Sequence, residues 1–310
     1  MFRKVSNLSL IAILAVIALI YLSLRVFRHT GRSSSFKANL VQIDTSNVSK
    51  ISVDGKGKHF EVYKDNTGAW KVTLPEPDKA AEATASSVKN SLYGLMSIEP
   101  SRVVTRDPAK WPEYQVDTAG TRVRVYEGSK NTLDLIIGKF GVQGRQSFFT
   151  YVRLNDDNTV YSADNFMGMS YFSGPDSFRN NRFLQVDPDS VRQVSFTYPA
   201  DSSFMLNRPD SVWYLGSGKA DSVKVANYLS QLRYVSNTKY VDDINPVSLN
   251  QPVFTEAIAL KNSKIITINA YQNPKYGLIL HSEFNPNSYF SDSTLVKRIF
   301  KGRGEFLKKQ

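Results

Sequence analysis

Residues 48–72 read VSKISVDGKGKHFEVYKDNTGAWKV, and residues 191–215 read VRQVSFTYPADSSFMLNRPDSVWYL. Val48, Ile51, Val53, Val62, Trp70 and Val72 of the first stretch meet Val191, Val194, Phe196, Met205, Trp213 and Leu215 of the second at a constant offset of 143 residues. Alternating apolar positions bounded by Gly, Asn, Asp and Pro predict an antiparallel meander in each. A helical stripe then follows each Trp: Val88, Leu92 and Leu95 in the first half, Val225, Leu229 and Leu232 in the second, now at an offset of 137. Spacings of three and four residues put each trio on one helix face. The first helix is expected over about 79–97 with Asp78 as N-cap, the second over about 221–235.

Beyond each helix the chain returns to strand patterns. They are expected at 102–104, 121–126, 133–137, 148–153 and 159–161 in the first half, and at 239–241, 257–260, 265–270, 276–280 and 289–290 in the second. The expected fold is α+β: two tandem repeats, 43–185 and 186–310, each a mostly antiparallel sheet with one packed helix. Each Trp is expected to anchor sheet to helix, an exposed carbohydrate-stacking platform being the alternative.

The formal net charge of +11 sits at the two ends of the chain. Residues 1–37 carry Arg3, Lys4, Arg25, Arg28, Arg32 and Lys37 with no acid, and residues 297–310 carry six bases against Glu305, so the body between them is neutral. A neutral body argues against nucleic acid as a partner. Bases flanking an apolar segment suit anionic lipid headgroups. The chain has no Cys, which excludes disulfides, thiolate catalysis and Cys-ligated zinc.

That apolar segment is LSLIAILAVIALIYLSL, residues 8–24, uncharged and extendable to Phe27. A helix over residues 8–27 reaches about 30 Å, the hydrocarbon thickness of a bilayer. No small-residue cleavage site precedes Arg25, so an uncleaved anchor over 1–28 is expected, with 29–42 as a polar, basic tether. The bases on the two sides of the span nearly balance and leave its orientation open.

Chemical motifs are sparse. Gly216-Ser217-Gly218-Lys219 is followed by Ala220, not Ser or Thr, and does not make a phosphate loop. Gly138, Gly141 and Gly144 lack dinucleotide-fingerprint spacing and are expected in a hairpin loop. His29, His59 and His281 are too scattered for a usual metal site, and Asp156-Asp157-Asn158 and Asp242-Asp243 read as turns. Pro-Asp-Ser recurs at 175, 188 and 209 as turn or cap punctuation. No catalytic residue, cofactor or metal ligand is assigned, and a non-enzymatic chain is expected. The most unusual segment is FMGMSYF, whose Phe166, Met167, Met169, Tyr171 and Phe172 are candidate partner contacts; a buried connector is the competing reading.

The N-terminal span, the paired strand-turn-Trp units at Trp70 and Trp213, the Leu-patterned helices, Val103-Val104 and the connector Glu113-Tyr114-Gln115-Val116-Asp117 together resemble the DUF4340 family of bacterial envelope proteins. This chain departs from the family at Gln115, where Gly is usual. The resemblance implies no established activity. It implies a single-pass inner-membrane protein with a periplasmic C-terminal domain, associated with ABC transporters of the gliding-motility type. The expected role is therefore an accessory or scaffold module of an ABC-transporter or envelope complex, an envelope glycan-binding protein or hydrolase being the alternative.

Overall fold

The computed structural model describes residues 39–55, 57–76, 79–143 and 147–308. The expected anchor, most of the tether, Asp78 and Gly144 lie outside them. Among the described residues no helix is long and apolar enough to cross a membrane.

The first half holds β1 (Val48–Gly55), β2 (Lys58–Lys64), β3 (Trp70–Thr73), β4 (Ala80–Glu82), β5 (Pro100–Thr105), β6 (Thr121–Glu127), β7 (Lys130–Gln143), β8 (Ser147–Leu154) and β9 (Val160–Asp164). Its helices are α1 (Ala85–Met96) and the short α2 (Trp111–Tyr114) and α3 (Met169–Ser173). Then come β10 (Arg182–Leu184), β11 (Val191–Thr197), β12 (Phe204–Asn207), β13 (Tyr214–Leu215) and β14 (Gly218–Lys219). After α4 (Ser222–Leu232) follow β15 (Val235–Ser236), β16 (Phe254–Leu260), β17 (Ile265–Asn273), β18 (Gly277–Ser282), β19 (Tyr289–Phe290) and α5 (Ser293–Ile299).

Strand order is β4-β3-β2-β1-β6-β7-β8-β9-β5 in one sheet and β14-β13-β12-β11-β16-β17-β18-β19 in another, with β10 and β15 as a separate pair. The pairings are antiparallel, for example β6 with β7 and β11 with β16. The expected sheet-rich α+β class is what the chain adopts.

Two compact units emerge. One holds the chain up to Val48, Asp54–Gly57 and Leu92–Phe172; the other holds Ser49–Val53, Lys58–Ser91 and Ser173–Gln310.

In the first unit, cross-strand pairs Val123 with Leu135, Val125 with Leu133 and Ile137 with Val152 fill one sheet face and are almost wholly buried. Val116, Ile136 and Val160 form a smaller apolar cluster with Trp111, Tyr114 and Tyr151. Arg153 is buried beside it, its guanidinium 3.7 Å from the centre of the Trp111 ring. Its Nε donates to the Val116 carbonyl and its Nη1 to those of Leu154, Asn155 and Asp157, at 3.0–3.1 Å. The charge is satisfied by backbone dipoles, so this arginine closes a loop instead of facing a ligand.

In the second unit, Val191, Val194, Phe196, Leu206, Trp213 and Leu215 of the meander pack with Val225, Tyr228, Leu229 and Leu232 of α4 in one core. Burial of each such Leu or Val stabilises by about 1.5–3 kcal/mol. Two equivalent helix entries also lie in this unit. The Trp70 carbonyl accepts from the Ala83 amide and the Trp213 carbonyl from the Ala220 amide, each at 2.9 Å. One residue on, Thr84 N–H donates to the Phe178 carbonyl and Asp221 N–H to the Phe306 carbonyl, again at 2.9 Å. Phe178 packs against Phe60 at 5.8 Å and Phe306 against Phe204 at 5.9 Å between ring centres.

Several expectations are corrected. The first helix starts at Ala85, because residues 80–82 pair with β3 as a strand and Thr84, whose Oγ1 accepts from the Ser87 amide, is the cap. Val62 corresponds to Leu206, not Met205: Val62 pairs with Val72 and Leu206 with Leu215, while Met205 is exposed. A slip of one residue reverses the face of every side chain, and only Leu206 points inward. Residues 239–241 form no strand; Tyr240 makes an isolated bridge to Phe290. Gly138 and Gly141 lie inside β7, where a Cβ on Gly138 would sit 2.4 Å from the Tyr114 carbonyl oxygen and one on Gly141 2.4 Å from the Phe149 ring.

Candidate functional site

The second half of β7 and the start of β8 form an arm within the first unit. The register shifts between Ile137 and Phe140, so β7 is bulged beside Gly138, and beyond it the pairs are Phe140 with Thr150, Gly141 with Phe149 and Val142 with Phe148. Bulges bend a strand and re-aim the side chains that follow. Side-chain alternation puts Phe140, Val142, Phe148 and Thr150 on one face of the arm, and Phe149 and Tyr151 on the other. Phe149 and Tyr151 stack edge-to-face at 5.2 Å, and Tyr151 meets Tyr114 at 4.8 Å.

The first face is open. Phe140 is 41% exposed and Val142 66%, and the Phe140 and Phe148 rings lie 5.9 Å apart. The hydroxyl of buried Thr150 donates to the Phe166 carbonyl, which ties the Met-containing segment to that face. Gly168, with φ of 62°, adopts a left-handed conformation that favours glycine and turns the chain into α3.

The five residues singled out in the sequence divide into two roles. Phe166 and Tyr171 are buried and Phe172 is partly buried. Met167 is 39% and Met169 58% exposed. The segment is thus pinned by aromatics and presents its methionines outward. Sequence reasoning missed Phe140, Val142 and Phe148, although the run Phe140-Gly-Val142 followed by Phe148-Phe149 was there to be seen. The glycines at 138, 141 and 144 read as a hairpin loop, and nothing local says that strand pairing runs on through Gly138 and Gly141 with apolar side chains exposed.

Other candidates have structural partners. Asp242 pairs both carboxylate oxygens with the Arg179 guanidinium at 2.9 Å, and Asp243 accepts from Lys275 at 2.7 Å and from Tyr276 at 2.9 Å. Asp156-Asp157-Asn158 lies in a turn region, with Asp157 accepting from the Thr159 amide. His59 and His281 sit in β2 and β18; His281 Nε2 lies 3.0 Å from the Pro286 carbonyl oxygen. Among the described residues no group of three or more His, Asp or Glu could hold a metal ion. Trp213 is 5% exposed and presents no open stacking face, while Trp70 is partly exposed with Lys64 Nζ 5.2 Å from its ring centre.

The most perturbed acid is Glu256 in β16, completely buried, whose carboxyl burial pushes up to about 8 against the opposing effect of its Tyr228 hydrogen bond. The Tyr228 hydroxyl lies 2.5 Å from Glu256 Oε1 and 2.8 Å from the Ile299 carbonyl oxygen. One hydroxyl proton cannot serve both acceptors. A protonated Glu256 resolves this, its O–H donating to Tyr228 and Tyr228 donating to Ile299. The pair links β16, α4 and α5 inside the core.

Neither a curated protein nor a solved structure matches the chain. A family model does match residues 70–252, more than half its length, under the description "Domain of unknown function (DUF4340)". That range covers Trp70 and Trp213, both stripe helices and the exposed arm, and the chain belongs to the DUF4340 family.

Proposed function

We propose that the protein is a non-enzymatic module of the bacterial inner membrane, anchored by residues 8–27 with its folded part in the periplasm. It serves as an accessory or scaffold protein of an ABC-transporter or other envelope complex and binds a protein partner of that complex. One observation carries the reading: Phe140, Val142, Met167 and Met169 are exposed on one arm and its adjoining segment. Aromatic residues and methionine are enriched in the cores of protein interfaces, and methionine adapts its shape to a partner. Large exposed apolar side chains set close together call for an occupant.

The tandem-repeat organisation belongs to the same proposal. It is supported by the parallel strand orders β4-β3-β2-β1-β6-β7-β8-β9 and β14-β13-β12-β11-β16-β17-β18-β19, and by the matched hydrogen bonds at the two helix entries. A duplicated framework frees individual loops to diverge, and the arm is one such divergence.

Photo-crosslinking in intact cells tests the docking surface. With the crosslinker at Val142 or Met169, one discrete protein adduct is expected, absent when it is placed at Val247, which is 92% exposed elsewhere. A ladder of unrelated neighbours, lipid adducts alone, or the same pattern from Val247 would overturn the assignment.

A further inference from the structure

A second surface feature lies in the other unit, at one end of three adjacent strands. Arg192 follows the first residue of β11, Arg208 follows the last of β12 and Lys261 the last of β16. Backbone hydrogen bonds hold these ends together: Arg208 N–H to the Arg192 carbonyl and Lys261 N–H to the Ser190 carbonyl, both at 2.8 Å. The three bases line one hollow of about 540 Å³ with Asp189, Pro209, Asp210 and Ser211.

Arg208 is held in place. Its Nη2 donates to the carbonyls of Val191 at 2.9 Å and Asp189 at 3.2 Å, and its guanidinium lies 5.1 Å from the Trp213 ring centre. Asp210 is occupied by its own turn, accepting from the Val212 amide at 2.8 Å. Among the described residues none of the three bases forms an ion pair. Three cations therefore share one hollow with two acids, Asp189 and Asp210, an excess of positive charge in a chain whose body is neutral.

Two of the three bases have no basic counterpart in the first half. The matching corner of the first half repeats the backbone bond, Gly128 N–H to the Asn47 carbonyl at 3.2 Å, and has Lys64 beside Trp70 where the second half has Arg208 beside Trp213, but it places Ser49 and Gly128 where the second half has Arg192 and Lys261. Three bases against two acids leave an excess of positive charge at the hollow, which a bound anion offsets.

We propose that Arg192, Arg208 and Lys261 form a binding site for a phosphate group. Two guanidinium groups and an ammonium from three neighbouring strand ends line the hollow, and their several donors suit the several oxygens of phosphate better than a single planar carboxylate. The phosphate could be free, carried on a small molecule, or part of a lipid headgroup, and the oxygens recognised are the same.

The test uses the full chain in neutral detergent micelles at low ionic strength. Inorganic phosphate is titrated by calorimetry into the native protein and into the Arg192→Gln/Lys261→Gln double variant. In a second arm, short-chain phosphatidylglycerol or short-chain phosphatidylcholine is titrated into the same protein–detergent sample. Both substituted side chains are exposed, so the variant is expected to melt as the native chain does. Saturable binding of phosphate, or saturable binding of phosphatidylglycerol over phosphatidylcholine, weakened at least about tenfold in the variant, supports the site and says which source it takes. No saturable binding in either arm, or equal binding by native chain and variant, overturns it.

Discussion

Glu256 shows what a single residue contributes to this fold and how it makes stability respond to pH. Its carboxyl is raised to about 8 by burial, against an ordinary value of 4.5. The folded state therefore binds a proton that the unfolded state releases. Its stabilising effect is complete below pH 4.5 and is lost as pH rises toward 8, by an amount on the order of a few kcal/mol. Urea unfolding of the native chain should show the second unit weakening from pH 5 to pH 8.5. Glu256→Gln keeps a neutral side chain and should remove most of that dependence; an unchanged pH slope in the variant would mean that another group carries it. The residue was legible in part. In Phe254-Thr-Glu256-Ala-Ile258 strand alternation puts Glu256 on the face of Ile258, but a carboxylate at such a place ordinarily argues for the opposite face. Only Tyr228, brought over by α4, shows why it is tolerated.

At the scale of elements, β12 alone sits one residue out of step with a comparison made by simple offset. Leu206 is wholly buried and pairs with Leu215, whereas Met205 is 41% exposed. Leu206→Asp should destabilise the second unit by at least about 3 kcal/mol, the cost of losing buried apolar area and burying an unpaired charge. Met205→Asp should change it by less than about 1 kcal/mol. Denaturant midpoints measure both, and equal losses would restore the offset of 143. Strand and helix identities were readable because β-branched alternation and Leu spacing are local signals. The start of α1 was not. Ala80-Ala81-Glu82 has helical propensity, and only its pairing with β3 holds it extended, with Thr84 then capping the helix. The arm was hidden for a related reason. Its glycines read as a hairpin loop, and only pairing with β8, across a bulge beside Gly138, carries β7 on through them with Phe140 and Val142 exposed.

Across the whole molecule, the best-matched apolar residues hold two sheets and two stripe helices in shape, while the unmatched features are where contact with other molecules is proposed: the exposed arm in one unit and the basic hollow in the other. This division suits a protein that acts by holding partners in place. The central claim is that the arm is an interface, and the most direct measurement is the native mass of the protein extracted in mild detergent from its own cells. The native chain should migrate in a complex heavier than one chain and its micelle. The Phe140→Asp/Val142→Asp double variant, with an unaltered melting curve, should migrate as the single chain. A native protein already of single-chain mass, or a variant that keeps the full complex mass, would contradict the account.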